Sequence, residues 1–232
     1  ANDEATTTLR YANGVDMGET NGNHLIVGVA DGDPAGDPTT PTEHPVIGKN
    51  IVGGRAADAH DNDIIINSLK AVDAGYGRIY AGLTTGTASK NHITYNGGVA
   101  NALIGGASTS VAPNSTHGAT ANEVEVHGGT IHKHVTGGFG KEHSTVNGNT
   151  VTVSGGTMES VRGGVGGNNA SVTGNIVTID GVSANIAKQV SGGVAGTAAT
   201  VKGNTVTVKN GALASVRGGV GKEGSAVREN KV

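Results

Sequence analysis

A block of 26 residues occurs twice in this chain with 14 identical positions, and its repetition limits what the sequence can fold into. Residues 149–174 return as residues 204–229, a longer copy fills residues 175–203, and a more divergent copy covers residues 122–148. A unit of this length cannot bury an apolar face alone and must stack on its neighbours. The sequence therefore predicts a solenoid of stacked coils.

Each coil begins with an asparagine, and a strand pattern follows it. The residues two and four positions after each asparagine are apolar and mostly β-branched, as in Val151 and Val153, while positions one and three are mostly polar. This alternation with period two predicts a strand with one buried face. It also places the asparagine on the inner face, where stacked amides can bond from coil to coil. The asparagines are spaced 26 to 31 residues apart, at Asn62, Asn91, Asn122, Asn149, Asn175, Asn204 and Asn230.

Two further positions recur in register. A small apolar residue stands three positions before each asparagine, and a Gly-Gly pair between apolar residues follows about a dozen positions after it, as at Gly137-Gly138. We expect these glycines to form tight corners with positive φ. No apolar set recurs at helical spacing. The prediction is an all-β, right-handed parallel β-helix of about eight coils, with a period of about 26–31 residues.

The regularity of the pattern divides the chain. Residues 1–22 are predicted to be an N-terminal lead-in or cap, residues 23–121 irregular coils, and residues 122–232 regular repeats. Because the chain stops three residues into a coil, at Asn230-Lys231-Val232, an open sheet edge is expected there. We therefore expect the chain to be a fragment of a longer protein.

Composition excludes several functional classes. The chain has no cysteine, which excludes disulfides and cysteine-based metal sites. A net charge of -3 with scattered charges gives no basic patch for nucleic acid. No apolar run is long enough to span a bilayer. No cofactor is predicted.

The repeats resemble those of a known family. The pattern NTVTVSGGT…VRGGVGG…ASVTGN is similar to the NTVTISGGT…VYGG repeats in the passenger domains of large Gram-negative autotransporter adhesins, including fusobacterial ones. The resemblance covers residues 122–232 well and residues 62–121 loosely. It implies a secreted, surface-displayed β-helix that serves adhesion, co-aggregation or biofilm formation. The implied partners are proteins or glycans of host or bacterial surfaces, or another copy of the same chain.

Two sets of residues are weak candidates for metal binding. Asp31, Asp33 and Asp37 offer carboxylates in a glycine-rich loop, but the spacing lacks the terminal Glu of a calcium loop, and a solvated acidic loop explains them better. His132 and His134 share a face if their segment is a strand. Two histidines are fewer than zinc needs, so exposed histidines are the simpler interpretation. A histidine patch sensitive to pH is the remaining alternative.

An enzyme is not predicted. Glu123 and Glu125 on one outward face resemble a carboxylate pair for glycoside hydrolysis. The equivalent positions in neighbouring coils are Thr150 and Thr152 or His92 and Thr94, so no acidic groove continues. Five aromatic residues in the whole chain also provide little for stacking on sugars.

A partner is expected to bind at loops and aromatic residues. The irregular segments are residues 31–45, 108–120 and 184–188, and Tyr76, Tyr80 and Tyr95 lie near the first regular coils. Tyrosines are favoured interface anchors, although they also serve to cap a core layer. An adhesin module that binds through these residues is the first hypothesis. A structural stalk without a ligand is the second, and a carbohydrate-active enzyme the third.

Overall fold

The computed structural model describes residues 11–12, 15–16, 21–28, 46–47, 50–67, 70–71, 77–113 and 116–232. Within these residues all the regular elements are β-strands. The first eight are β1 (Tyr11–Ala12), β2 (Val15–Asp16), β3 (His24–Val27), β4 (Val46–Ile47), β5 (Ile51–Ala56), β6 (Ala59–His60), β7 (Asp63–Ile66) and β8 (Lys70–Ala71). The next eight are β9 (Arg78–Thr84), β10 (Thr87–Ser89), β11 (His92–Tyr95), β12 (Val99–Ser108), β13 (Gly118–Thr120), β14 (Glu123–Val126), β15 (Thr130–Gly140) and β16 (Thr145–Asn147). The last eight are β17 (Thr150–Val153), β18 (Thr157–Gly166), β19 (Ser171–Thr173), β20 (Ile176–Ala195), β21 (Thr200–Lys202), β22 (Thr205–Leu213), β23 (Val216–Val220) and β24 (Ala226–Arg228).

The strands stack in parallel, each on its equivalent in the next coil. One face is a seven-stranded sheet in the order β24-β21-β19-β16-β13-β10-β6. The other two faces form one 14-stranded sheet, because the long strand β20 pairs with β17 on one face and with β18 on the next. A three-stranded sheet, β1-β4-β8, lies apart from these.

This arrangement confirms the predicted parallel β-solenoid. The stack makes about six turns rather than about eight. The sequence count included coils starting at Asn23 and Asn230, and neither starts a complete turn within the described residues. Residues 1–20 and 31–45, which contain most of the predicted lead-in and the first predicted loop, lie largely outside the described residues.

The core is a column of aliphatic side chains inside the coils. Val124, Val126, Val151 and Val153 from one face pack against the inward residues of the next, and all are fully buried. The small residues three positions before the asparagines, such as Val146, are buried on the face formed by the seven-stranded sheet, except Val227 in the last strand, which is 46% exposed. Full burial of one such side chain contributes about 1.5–3 kcal/mol. The alternation predicted from the sequence therefore gives the side chains their correct faces.

The asparagines that begin the coils form a continuous buried ladder. Nδ2 of Asn149 donates to Oδ1 of Asn175 at 2.8 Å and to the backbone carbonyl of Ala119 at 2.9 Å. Oδ1 of Asn149 accepts from the backbone N and from Nδ2 of Asn122 at 3.1 and 2.9 Å. These four bonds use every donor and acceptor position of the amide. The same four bonds occur at Asn91, Asn122, Asn175 and Asn204.

The explanation predicted for the Gly-Gly pairs is wrong. The pairs lie inside strands, as Gly137 and Gly138 do in β15, and they are not among the described residues with positive φ. They are needed because there is no space for a side chain. A Cβ atom on Gly137 would lie 2.6 Å from the carbonyl oxygen of Gly163 in the next coil.

Positive φ occurs instead at the residue directly before each ladder asparagine. Glycine occupies this corner at Gly148, Gly174 and Gly203. Other coils place a residue with a Cβ there, namely Asp61, Lys90, Ala121 and Glu229, with φ between 54° and 57°. The corner that turns the chain into each ladder strand is therefore left-handed whichever residue occupies it.

The prediction of a third, smaller loop is also wrong. Residues 184–188 belong to β20, and Ala184 and Ile186 are buried in the core. The irregular feature in this strand comes earlier, where Val182 projects from the coil with 88% of its surface exposed. Apolar residues at the inward positions keep the chain in the sheet even where the sequence period changes.

Candidate binding groove on the outer surface

The three tyrosines do not form one surface patch. Tyr95 is fully buried in the aliphatic core, and its burial raises the pKa of the phenol well above the usual value. It therefore fills a core layer and cannot contact a partner. Tyr80 lies half-buried on the outer surface and packs against an apolar cluster there. Tyr76 lies outside the described residues.

The candidate metal ligands are not gathered into a site. His132 is exposed, His134 is half-buried, and the register shifts between Ile131 and His134, so the simple alternation behind their predicted common face is broken. In the part of the chain that the structure describes, no three histidine or carboxylate side chains are placed to hold a metal ion. Asp31, Asp33 and Asp37 lie outside that part.

A groove runs along the outside of the solenoid where the strands bend at the glycine pairs. In β12, Ile104 and Ala107 lie on the two sides of Gly105-Gly106 and belong to one apolar cluster with Ala102. Although this cluster is on the outer side, Ile104 is only 4% and Ala107 only 1% exposed. Because one buried apolar cluster extends across the bend on its outer side, we infer that the outer side is concave there. We call this concave surface, along β9, β12, β15, β18, β20 and β23, the elbow groove.

One wall of the elbow groove is a row of apolar side chains in register. Ala107 is buried, and the other side chains of the row are half-buried and therefore partly open to solvent. Adjacent strands are about 4.8 Å apart, so the side chains form a nearly continuous surface. This apolar row consists of Leu83, Ala107, Phe139, Val165, Val194 and Val220.

The apolar row leads into a cavity of about 560 Å³. Phe139, Val165 and Val194 line it on one side, and Val111 lines it from the segment that follows β12. The charged residues Lys141, Glu142 and Lys222 also line the cavity. Val111 belongs to the predicted loop 108–120, so this loop does contribute to the candidate site.

The other wall carries cationic and polar side chains. Ala102 of β12 is in register with Arg78 of β9 on one side and with His134 of β15 on the other. Two residues after His134, Thr136 is in register with Arg162 of the next strand, β18. Within the described residues no hydrogen bond or ion pair engages the side chains of Arg78, His134 or Arg162. The nearby carboxylate of Glu159 is paired with Lys188. We call Arg78, His134 and Arg162 the cationic cluster.

Burial and charge shift the pKa values in this cluster. Burial, together with the charges of Arg162, Arg78 and Lys133, lowers the pKa of His134 to about 4. The imidazole is therefore neutral at physiological pH and offers one donor and one acceptor nitrogen. Burial also lowers the pKa of Arg162, and the nearby charge of Glu159 opposes this shift, so the guanidinium remains charged. The wall thus holds an excess of positive charge, part of it half-buried at Arg162.

A second polar cluster lies on a different face, at the outward positions of β3, β7 and β11. The carboxylate of Asp63 accepts from Nδ1 of His24 at 2.8 Å and from Nδ1 of His92 at 3.0 Å. The hydrogen bond from His92 lowers the pKa of Asp63, and the same bond raises the pKa of His92. The next outward residues, Glu123 and Glu125, continue into threonines, so no acidic groove forms on this face.

Comparison with known proteins gives no relative: no protein-family model, no curated protein and no solved structure matches this chain. The described residues contain no helix long and apolar enough to cross a membrane. The elbow groove must therefore be interpreted from its own chemistry. Its combination of a partly open apolar row and a cationic cluster was missed in the sequence, because the two walls are brought together only by the bend at the glycine pairs.

Proposed function

We propose that this solenoid is a non-enzymatic binding module of a bacterial cell-surface adhesin. In this proposal it attaches the cell to host or bacterial surfaces through the elbow groove. The observation that supports it is the pairing of a partly open apolar row with a cluster in which positive charge exceeds the single nearby carboxylate, Glu159. Contiguous exposed apolar surface beside polar groups is typical of interaction sites.

The cellular setting of this proposal rests on the repeat resemblance. The similarity of residues 122–232 to autotransporter passenger repeats supports secretion across a Gram-negative envelope and display at the cell surface. A rigid, elongated stack is suited to presenting a binding surface away from the cell.

A stalk without a ligand is the second candidate. The observation that favours it is the outer face of β17, β20 and β22, where threonines recur in register from coil to coil: Thr150, Thr152, Thr178, Thr205 and Thr207. A stalk needs only such regular polar faces. It gives no reason for the apolar row and the excess of positive charge in the elbow groove.

Binding of the fluorescently labelled protein to epithelial cells and to bacteria of other species tests the proposal. We expect saturable binding that unlabelled protein competes away. The groove variant Val194→Asp should lose this binding, whereas Val182→Asp, at an exposed position outside the groove, should keep it. Absence of binding by a folded, monomeric protein would leave the stalk as the better function.

A further inference from the structure

We infer that the elbow groove binds an acidic, amphipathic helical segment of a partner protein, with aliphatic side chains on the apolar row and carboxylates on the cationic cluster. This inference rests on the proposed binding function and specifies its ligand. Three properties of the groove determine the chemistry of the occupant: its charge, its apolar wall and the spacing of its side chains.

The charge of the groove favours an anionic partner. Arg78 and Arg162 lie on either side of His134 across the strands, and none of the three side chains makes a hydrogen bond or ion pair within the described residues. The carboxylate of Glu159 acts electrostatically on His134 and Arg162, but it is paired with Lys188 and is one negative charge beside the positive charges of Arg78, Arg162, Lys133 and Lys188. A carboxylate of a partner is therefore stabilised by the excess of positive charge.

The apolar row favours a peptide over an acidic polysaccharide. Leu83, Val165 and Val194 offer no hydrogen-bonding groups to sugar hydroxyls, and such hydroxyls lose free energy when they are desolvated without a partner. Leucine, isoleucine or valine side chains of a peptide would instead gain from burial against this row. The same row is continuous with the cavity lined by Phe139 and Val111, which can accept a larger side chain.

The register of the row favours a helix over an extended strand. Both edges of β15 and β18 are already hydrogen-bonded to neighbouring strands, so the partner cannot add a strand to the sheet. The apolar row repeats about every 4.8 Å. One helical turn rises about 5.4 Å, whereas side chains on one face of an extended strand recur about every 6.8 Å. A helix with apolar residues three and four positions apart therefore matches the groove better.

The position of His134 links binding to pH. Arg78 faces it from β9, Arg162 and Glu159 from β18, and Lys133 is its neighbour in β15. A carboxylate bound beside these cations would stabilise the imidazolium form of His134. Bound peptide should therefore raise the pKa of His134 above about 4, and the affinity should increase as the pH falls from neutral towards about 5.

The experiment uses the whole chain and a randomised peptide library displayed on phage, with counter-selection on Arg162→Gln. We expect enriched peptides to combine Asp or Glu with aliphatic residues three and four positions apart. In fluorescence anisotropy, Arg162→Gln should weaken a selected peptide about tenfold or more. Arg228→Gln, an exposed arginine on the seven-stranded sheet, is the matched control and should bind as the unsubstituted protein does. Circular dichroism should show helix formation on binding.

Two further measurements separate this inference from its alternatives. The NMR titration of His134 should move upward when the peptide is bound, and His134→Gln should remove the dependence of affinity on pH. Enrichment of neutral or basic peptides, enrichment of none, or binding of heparin in place of peptides would overturn the inference. If labelled protein still bound cells in that case, the proposed function would stand and only the peptide ligand would fail.

Discussion

A Cβ atom added to Gly138 would lie 2.5 Å from Nδ2 of Asn149, the amide that links two coils of the ladder. The two most regular features of the sequence, the glycine pair and the asparagine, are therefore one structural unit. The glycine strand packs its backbone directly against the amide column. The same close approach occurs at Gly82 with Asn91 and at Gly106 with Asn122.

The first prediction concerns this contact. Gly138→Ala should lower the free energy of unfolding by about 1–3 kcal/mol, because its methyl group must displace a buried, fully bonded amide. Gly97→Ala is the control, since a Cβ atom there meets its nearest atom, the carbonyl oxygen of Asn67, at 3.5 Å. Urea unfolding of both variants measures the difference. Equal stability of the two would contradict the steric argument.

The second prediction concerns the ladder itself. Asn149→Ala removes the oxygen that accepts two hydrogen bonds from Asn122 and the nitrogen that donates to Asn175 and Ala119. Because each buried polar group left unpaired costs about 1–3 kcal/mol, we expect a loss of roughly 3–5 kcal/mol. Asn147→Ala provides the matched control, since Asn147 is exposed and accepts one bond from Thr173. Thermal or urea unfolding gives the comparison, and a loss below about 1 kcal/mol at Asn149 would show that the ladder is not needed.

The third prediction concerns the corner before the ladder. Ala121 has a φ of 54°, where a side chain is strained, and the equivalent residue in the next three coils is glycine. Ala121→Gly should therefore raise the free energy of unfolding by about 0.5–1 kcal/mol, after the higher entropy of unfolded glycine is deducted. The same change at the exposed strand residue Ala212 should destabilise instead. Opposite signs in the two unfolding curves are the expected result.

The fourth prediction concerns the pH dependence of the cluster around Asp63. The pKa of His92 is raised, so its contribution to stability is complete below the ordinary value of 6.5 and is lost as pH rises through the raised pKa. The pKa of Asp63 is lowered from 3.8, so its contribution is lost only when pH falls through the lowered pKa. His92→Gln should therefore cost more stability at about pH 5.5 than at about pH 8.5.

This effect should be small, below about 1 kcal/mol, because the pair is about one-third exposed and is screened by solvent. Urea unfolding at both pH values measures it. His132→Gln, at an exposed histidine, controls for the loss of an imidazole. If the stability lost in His92→Gln did not change with pH, the hydrogen bond of His92, and not its charge, would be what stabilises the coils.

Some local signals in the sequence were sufficient to predict the fold, and others were not. The alternation after each asparagine, as in Val151 and Val153, predicted the strands, their buried face and the stacked amides. The glycine pairs were located correctly but explained wrongly. Their sequence is consistent with either a tight turn or a close approach, and only the distance from Gly138 to Asn149 distinguishes the two.

The candidate site was less accessible from sequence. Tyrosine is a residue type that is favoured at interfaces, yet Tyr95 occupies an inward position of β11 and its side chain is buried in the core. Tyr80 was identified, but the arginines that share its surface were not, because Arg78 and Arg162 are 84 positions apart in the chain. No local pattern in the sequence connects these two arginines. Stacking of successive coils brings them to the same wall of the elbow groove.

The sequence by itself determined the solenoid. Its period, its alternation and its recurring asparagine are local features, and a repeat of this length has stable packing only against its own copies. The tertiary structure alone decided where the outer surface is concave and which residues meet there. That depends on how each strand bends at its glycine pair and on the register between coils, which place Ile104 beside Ala107 and His134 between two arginines. These are contacts between distant residues, and no local pattern in the chain encodes them.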